Sequence, residues 1–215
     1  MTTLTNRKNK AKKVVEALSE KFPSPKCALD YKTPFELLIA TILSAQCTDK
    51  RVNMITPALF KKYPGIEAFA NADLKELEND IHSAGFYHNK AKNIIGCAQG
   101  LINMYGGVLP RTLAELIRLP GVGRKTGSCL LGNAFGIAEG IVVDTHVARL
   151  SQKIGLSDSN DPEKIEQDLM KIVEKKYWIN FSHWLILQGR DICIARRPKC
   201  ATCELQSFCD SFKEN

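Results

Sequence analysis

The chain has 215 residues, 44% of them hydrophobic, enough for one large domain or two small ones with an ordinary buried core. Thirty Lys and Arg against 23 Asp and Glu leave a formal charge of +7, which favours a polyanionic partner without naming one. No run of about eighteen apolar residues could span a bilayer and no early apolar stretch resembles a signal peptide, so a soluble cytoplasmic protein with reduced cysteines is expected.

Helical periodicity runs through nearly every readable segment and strand alternation through none, which predicts an all-α fold. The cation-rich stretch Met1 to Lys13 runs into the amphipathic Val14-Val15-Glu16-Ala17-Leu18 and reads as a basic first helix. Thr33-Pro34-Phe35-Glu36 joins a capping box to a proline at the first helical position, ahead of Leu37, Leu38, Ile39, Ile42 and Leu43 at helical spacing. A helix from about Asp49 contains Pro57, which is expected to kink or divide it. Helices follow near Asp73 to Ile81 and Lys90 to Met104, and a second capping box, Thr112-Leu113-Ala114-Glu115, opens one that runs to Arg118. Another begins after Gly123, a cap and proline at Asp161-Pro162 open one to about Glu174, and Phe181 to about Arg190 is apolar enough to pack well. Neither a repeat of fixed period nor a low-complexity linker marks a domain boundary.

Leu119-Pro120-Gly121-Val122-Gly123-Arg124-Lys125-Thr126 lies between two helical segments. Pro120 stops the first, and two glycines one residue apart allow a tight turn and the close approach of another backbone. The amides that open the next helix then point outward at the positive end of the dipole, where they suit a phosphate. The plain alternative is a helix-helix turn without a ligand. Lys125 can contact phosphate there, or it can act as a nucleophile once it has given up its proton, which a helix N-terminus and the neighbouring Arg124 favour. Nineteen residues on, Asp144 stands at what looks like a helix start, an N-cap whose rigidly held carboxylate could also steady a developing positive charge. His146 follows it as a weaker candidate.

Of the eight cysteines, Cys27, Cys47, Cys97 and Cys129 are scattered among apolar neighbours and read as small buried hydrophobes. Cys193, Cys200, Cys203 and Cys209 crowd together in the spacing Cys-x6-Cys-x2-Cys-x5-Cys, which calls for a structural zinc or an iron–sulfur cluster. Arg196, Arg197 and Lys199 lie between the first two, so closing the loop would present three cations to phosphate.

The glycine-rich string resembles the helix-hairpin-helix motif of DNA-binding proteins, and the cysteine spacing resembles the four-iron, four-sulfur loop of endonuclease III and its adenine glycosylase relatives. With Lys125 and Asp144 in chain order between them, the sequence resembles the endonuclease III family over nearly its whole length. The resemblance implies a helix-hairpin-helix glycosylase fold: a six-helix domain at 28–137, and a cluster domain formed by 1–27 with 138–215, the DNA lying across the cleft between them. It implies removal of oxidised pyrimidines from double-stranded DNA, then β-elimination at the abasic site through a Schiff base on Lys125, with Asp144 assisting and one four-iron, four-sulfur cluster held by the four cysteines. It implies a monomer associated with the nucleoid, gripping DNA through Gly121, Val122, Gly123, Arg124 and Thr126 and through the basic loop.

Ser44-Ala45-Gln46 matches the family segment whose glutamine fills the space left by an extruded base, and Gly85-Phe86-Tyr87 aligns with the loop whose aliphatic residue wedges between bases. Phe86 departs from the family there, as do Gly127-Ser128-Cys129 and a slightly longer spacing to Asp144. A monofunctional adenine or thymine mismatch glycosylase is the rival reading, but such enzymes carry no lysine at the position of Lys125. A non-catalytic helix-hairpin-helix scaffold would leave Asp144 and the four cysteines without a purpose.

Overall fold

The computed structural model describes residues 3–213, so Met1 and Thr2 of the basic first helix and the last two residues lie outside it. All regular structure among the described residues is helical, as expected. The chain divides into two compact units, Cys27–Glu139 on one side and Met1–Lys26 with Gly140–Asn215 on the other.

The Cys27–Glu139 unit holds α2 (Pro34–Leu43), α3 (Asp49–Lys62), α4 (Ile66–Ala70), α5 (Leu74–Asp80), a 3-10 turn (His82–Ala84), α6 (Tyr87–Tyr105), α7 (Leu113–Leu116) and α8 (Arg124–Phe135). Helix α2 is apolar almost all round and is accordingly buried, with Leu37, Leu38, Ile39, Ala40 and Leu43 fully enclosed. Phe69 sits at the centre of an aromatic group, edge-on to Phe35 at 5.7 Å and 5.2 Å from Tyr63. The helix starts follow the sequence: the hydroxyl of Thr33 accepts from the Glu36 amide, that of Thr112 from the Glu115 amide, and the carboxylate of Asp73 from the Glu76 amide.

Three expectations need correction in this unit. Helix α3 runs undivided through Pro57. Its missing amide costs one bond, and that turn is pinned by Asn53, which donates to the Ala28 carbonyl at 2.9 Å and accepts from the Asp30 amide at 3.0 Å. Helix α6 begins at Tyr87, three residues before the expected Lys90. Of the four scattered cysteines only Cys97 is fully buried, whereas Cys27, Cys47 and Cys129 are partly exposed. Cys27 and Cys129 share a hydrogen bond, so they act as a polar pair more than as core filling.

The second unit holds α1 (Leu4–Lys21), α9 (Thr145–Ile154), α10 (Pro162–Ile172), α11 (Trp178–Asp191), short 3-10 turns, and α12 (Asp210–Lys213). Leu18, Val147, Leu150, Leu169, Phe181 and Leu185 form its core. Long-range polar contacts bring the N-terminal helix into it, three of them through Trp184 and Lys10. Trp184 donates its indole N–H to the Phe22 carbonyl at 2.9 Å, and Lys10 donates to the Ile154 carbonyl at 2.7 Å and to Asp210 at 2.6 Å.

Candidate functional site

The glycine-rich hairpin is seated on α6. A Cβ at Gly96 would lie 3.2 Å from Pro120 Cγ and one at Gly100 would lie 3.0 Å from Leu119 Cδ2, so two glycines one turn apart make room for the hairpin. At the turn the Val122 amide donates to the Leu119 carbonyl at 3.1 Å. Gly121 takes φ +75°, and a Cβ there would sit 2.7 Å from Asn93 Cβ, so the conformation and the close packing both demand glycine. Gly123 differs: its φ is an ordinary −83°, and a Cβ would meet nothing within 4 Å. It is the N-cap of α8 and has no side chain with which to close the first turn. Arg124 and Lys125 follow as exposed residues, Thr126 is half-buried, and the side chain of Val122 is core, which leaves Val122 only its backbone to offer a ligand. One turn after Lys125, its Cys27 partner and burial push the Cys129 thiol up, while the Lys125 charge opposes the shift.

Gln46 and Phe86, in the same unit, are the two non-glycine residues with positive φ among the described residues, at 53° and 50°. Both are exposed, and Phe86 remains 64% accessible instead of joining the core. A bulky residue in left-handed backbone costs on the order of 1–3 kcal/mol and persists where the surroundings enforce it.

In the other unit, Asp144 is the N-cap of α9, as expected. Its Oδ1 accepts from the amides of His146 and Val147, both at 2.8 Å, and its Oδ2 lies 3.1 Å from Nδ1 of His146. Both oxygens therefore have partners, and His146 is one of them. It also packs closely on Gly189 of α11, where a Cβ would come within 3.1 Å of His146 Cβ and of its ring Cδ2.

The four clustered cysteines lie beyond the end of α11. Burial pushes the Cys193 thiol up, Arg149 draws it down, and Cys203 and Cys209 push it up again; burial is likewise the main cause at Cys209, which Cys203 and Cys200 also raise. The four sulfurs thus share one neighbourhood. Among the described residues, however, no three His, Cys, Asp or Glu side chains converge as a single ion requires. The loop is anchored from within the unit. Fully buried Gln188 donates to Cys203 Sγ at 3.4 Å and to Glu204 at 3.2 Å and accepts from Lys21 at 3.2 Å, while Arg149 donates to the Cys193 carbonyl at 2.9 Å. Arg196, Arg197 and Lys199 are exposed, although Lys199 lies 3.7 Å from Asp191, so the expected trio of cations includes one with an acidic neighbour.

Sequence reading overlooked Gly96 and Gly100, whose trace was a glycine pair inside a helical pattern, and Lys90, which falls on the apolar stripe of Ile94, Cys97 and Leu101. Nothing local marked Gln188 or the role of His146. No helix among the described residues is long and apolar enough to cross a membrane.

Residues 39–175 match the family model described as HhH-GPD superfamily base excision DNA repair protein. The chain is 49% identical over 208 residues to endonuclease III of Synechocystis sp., covering 97% of this chain and 95% of that protein. Among solved structures it resembles a non-covalent endonuclease III–DNA complex with a TM-score of 0.92 and 41% identity, covering 100% of this chain and 98% of that one. A trapped endonuclease III–DNA covalent intermediate gives the same TM-score and identity, with 100% and 99% covered.

Proposed function

This chain belongs to the endonuclease III family, in the HhH-GPD superfamily of base-excision DNA repair proteins, and on that premise we propose which of its residues carry the reaction and what each does. The family activity is that of a DNA glycosylase with AP-lyase function. The substrate is double-stranded DNA with an oxidised pyrimidine or an abasic site, bound by a monomeric, nucleoid-associated enzyme. The 28–137 region serves as the six-helix domain carrying the hairpin, and 1–27 with 138–215 as the cluster domain.

Lys125 is the nucleophile. Its Nζ, deprotonated, attacks C1′ of the damaged nucleotide; the bond from C1′ to the base breaks and the base leaves with its electron pair, taking up a proton. Opening of the sugar ring turns the new C–N bond into a Schiff base. That group withdraws electrons from C2′, a proton leaves C2′, and the 3′ phosphate departs by β-elimination; water then releases the lysine. The observation that carries this assignment is the start of α8. An exposed lysine at the second helical position, behind an N-cap without a side chain, stands where amides and dipole can also take a phosphate. Gly121, Gly123, Arg124 and Thr126, with the backbone of Val122, hold the DNA strand there.

Asp144 steadies the positive charge that develops on the sugar as the base leaves, its orientation held by the amides of His146 and Val147. Gln46 enters the space left by the extruded base and Phe86 wedges beside it. Arg196, Arg197 and Lys199 add sequence-independent contacts to phosphate.

Cys193, Cys200, Cys203 and Cys209 hold one four-iron, four-sulfur cluster. The spacing of the four cysteines and the neighbourhood their thiols share support this reading. When bound, the cluster would cross-link the loop that carries Arg196, Arg197 and Lys199.

The test is borohydride trapping on a duplex carrying thymine glycol. Native protein should form a covalent adduct and Lys125→Gln none, while Lys125→Gln still binds the duplex. An undiminished adduct with Lys125→Gln would remove Lys125 from the role of nucleophile, and base release with no adduct from native protein would point to a monofunctional glycosylase.

A further inference from the structure

Lys90 lies on the buried stripe of α6 with Ile94, Cys97 and Leu101, and is itself only 4% exposed. Burying an ammonium is costly unless its donors are met. Here they are met by backbone: Nζ donates to the Leu43 carbonyl at 2.8 Å and to the Ala84 carbonyl at 2.9 Å. Leu43 is the last residue of α2, three before Gln46, and Ala84 ends the 3-10 turn, two before Phe86. The Cys47 amide, which would continue α2 by bonding to the Leu43 carbonyl, turns instead to Ser44 at 3.1 Å, leaving that carbonyl for the lysine. Burial pulls the Lys90 ammonium below the usual lysine range, and nearby Cys47 opposes that shift only in part. One buried side chain thus ties together the two short segments that end in the two left-handed residues, Gln46 and Phe86.

We propose that Lys90 is a positioning residue, which bridges the backbone ends at Leu43 and Ala84 and so holds Gln46 and Phe86 in one fixed relation for opening the DNA strand. The proposal rests on reading Gln46 and Phe86 as the plug and the wedge. Without the bridge, the backbone bonds of each segment are its own short-range ones, such as Gly85 to His82 at 3.2 Å, and only core packing still relates the two. Lys90 touches no substrate; its effect passes through the backbone.

The test uses the full cluster-loaded chain and a duplex with thymine glycol beside 2-aminopurine, whose fluorescence rises when neighbouring bases unstack. Lys90→Met keeps the length of the side chain and removes its donors. It should bind the duplex within about threefold of native protein, yet show a reduced fluorescence rise and single-turnover base release slowed on the order of tenfold. Lys90→Arg, which retains donors, should recover part of both, and the losses from Lys90→Met and Gln46→Ala should not add when combined. If Gln46→Ala and Phe86→Ala each lose the fluorescence rise while Lys90→Met keeps it in full, the positioning role is overturned and the strand-opening reading stands. If Gln46→Ala and Phe86→Ala both keep the full rise, the strand-opening reading fails and the proposal falls with it. Should Lys90→Met not fold, Lys90→Leu, which also lacks a donor, takes its place under the same outcomes.

Discussion

Helices α8 and α9 begin in opposite ways. Helix α8 starts at Gly123, with no side chain to accept from its first amides and open space where a Cβ would stand. Helix α9 starts at Asp144, whose Oδ1 takes two amides and whose Oδ2 faces His146. Every helix leaves its first amides without partners inside the helix. One start spends them on its own carboxylate and so holds an acid rigidly; the other has no side-chain cap and carries a lysine at its second helical position. An N-terminus is thus either a clamp for a side chain or a receptor for an anion, and whether the cap residue carries an acceptor oxygen decides which.

The strongest way to break the closed start is through its charge. Asp144→Asn keeps a good cap, so its melting temperature should stay near that of native protein while base release slows on the order of a hundredfold, measured in single turnover. Asp144→Ala should lose the same activity and about 1 kcal/mol of stability besides. An active Asp144→Asn would reduce Asp144 to a cap alone. The open start is broken most severely through its seat. Gly121→Ala forces a side chain into left-handed backbone and against Asn93 Cβ, and chemical denaturation should register a loss of about 3 kcal/mol. The smallest change sharpens the contrast. Gly123→Ser gives α8 the cap it lacks, which should raise stability by roughly a few tenths of a kcal/mol while weakening duplex binding, because the hydroxyl then competes with phosphate for the same amides. A Gly123→Ser variant that binds duplex as tightly as native protein would mean the first turn of α8 meets no phosphate.

Much of this protein was legible one residue at a time. N-caps at Thr33 and Thr112, the cap-proline pair at Asp161 and the turn glycine Gly121 are local signals, because a cap or a turn is satisfied by residues three or four positions away, and the structure keeps each of them. The spacing of the four cysteines is likewise a property of the chain, as is the all-helical character. What the sequence could not reveal depends on partners distant in the chain. Lys90 reads as an ordinary helix residue until α6 brings it within 2.8 Å of the carbonyl of Leu43, 47 residues earlier in the chain. Gly96 and Gly100 read as weak points in a helix until the hairpin packs on them. Gln188 acquires its purpose from Cys203 and Lys21, and the left-handed backbone of Gln46 and Phe86 is one that neither residue favours alone. Local bonding energies are written in short stretches of sequence; the burial of a polar group, and the partner that makes it tolerable, exist only once the helices have packed.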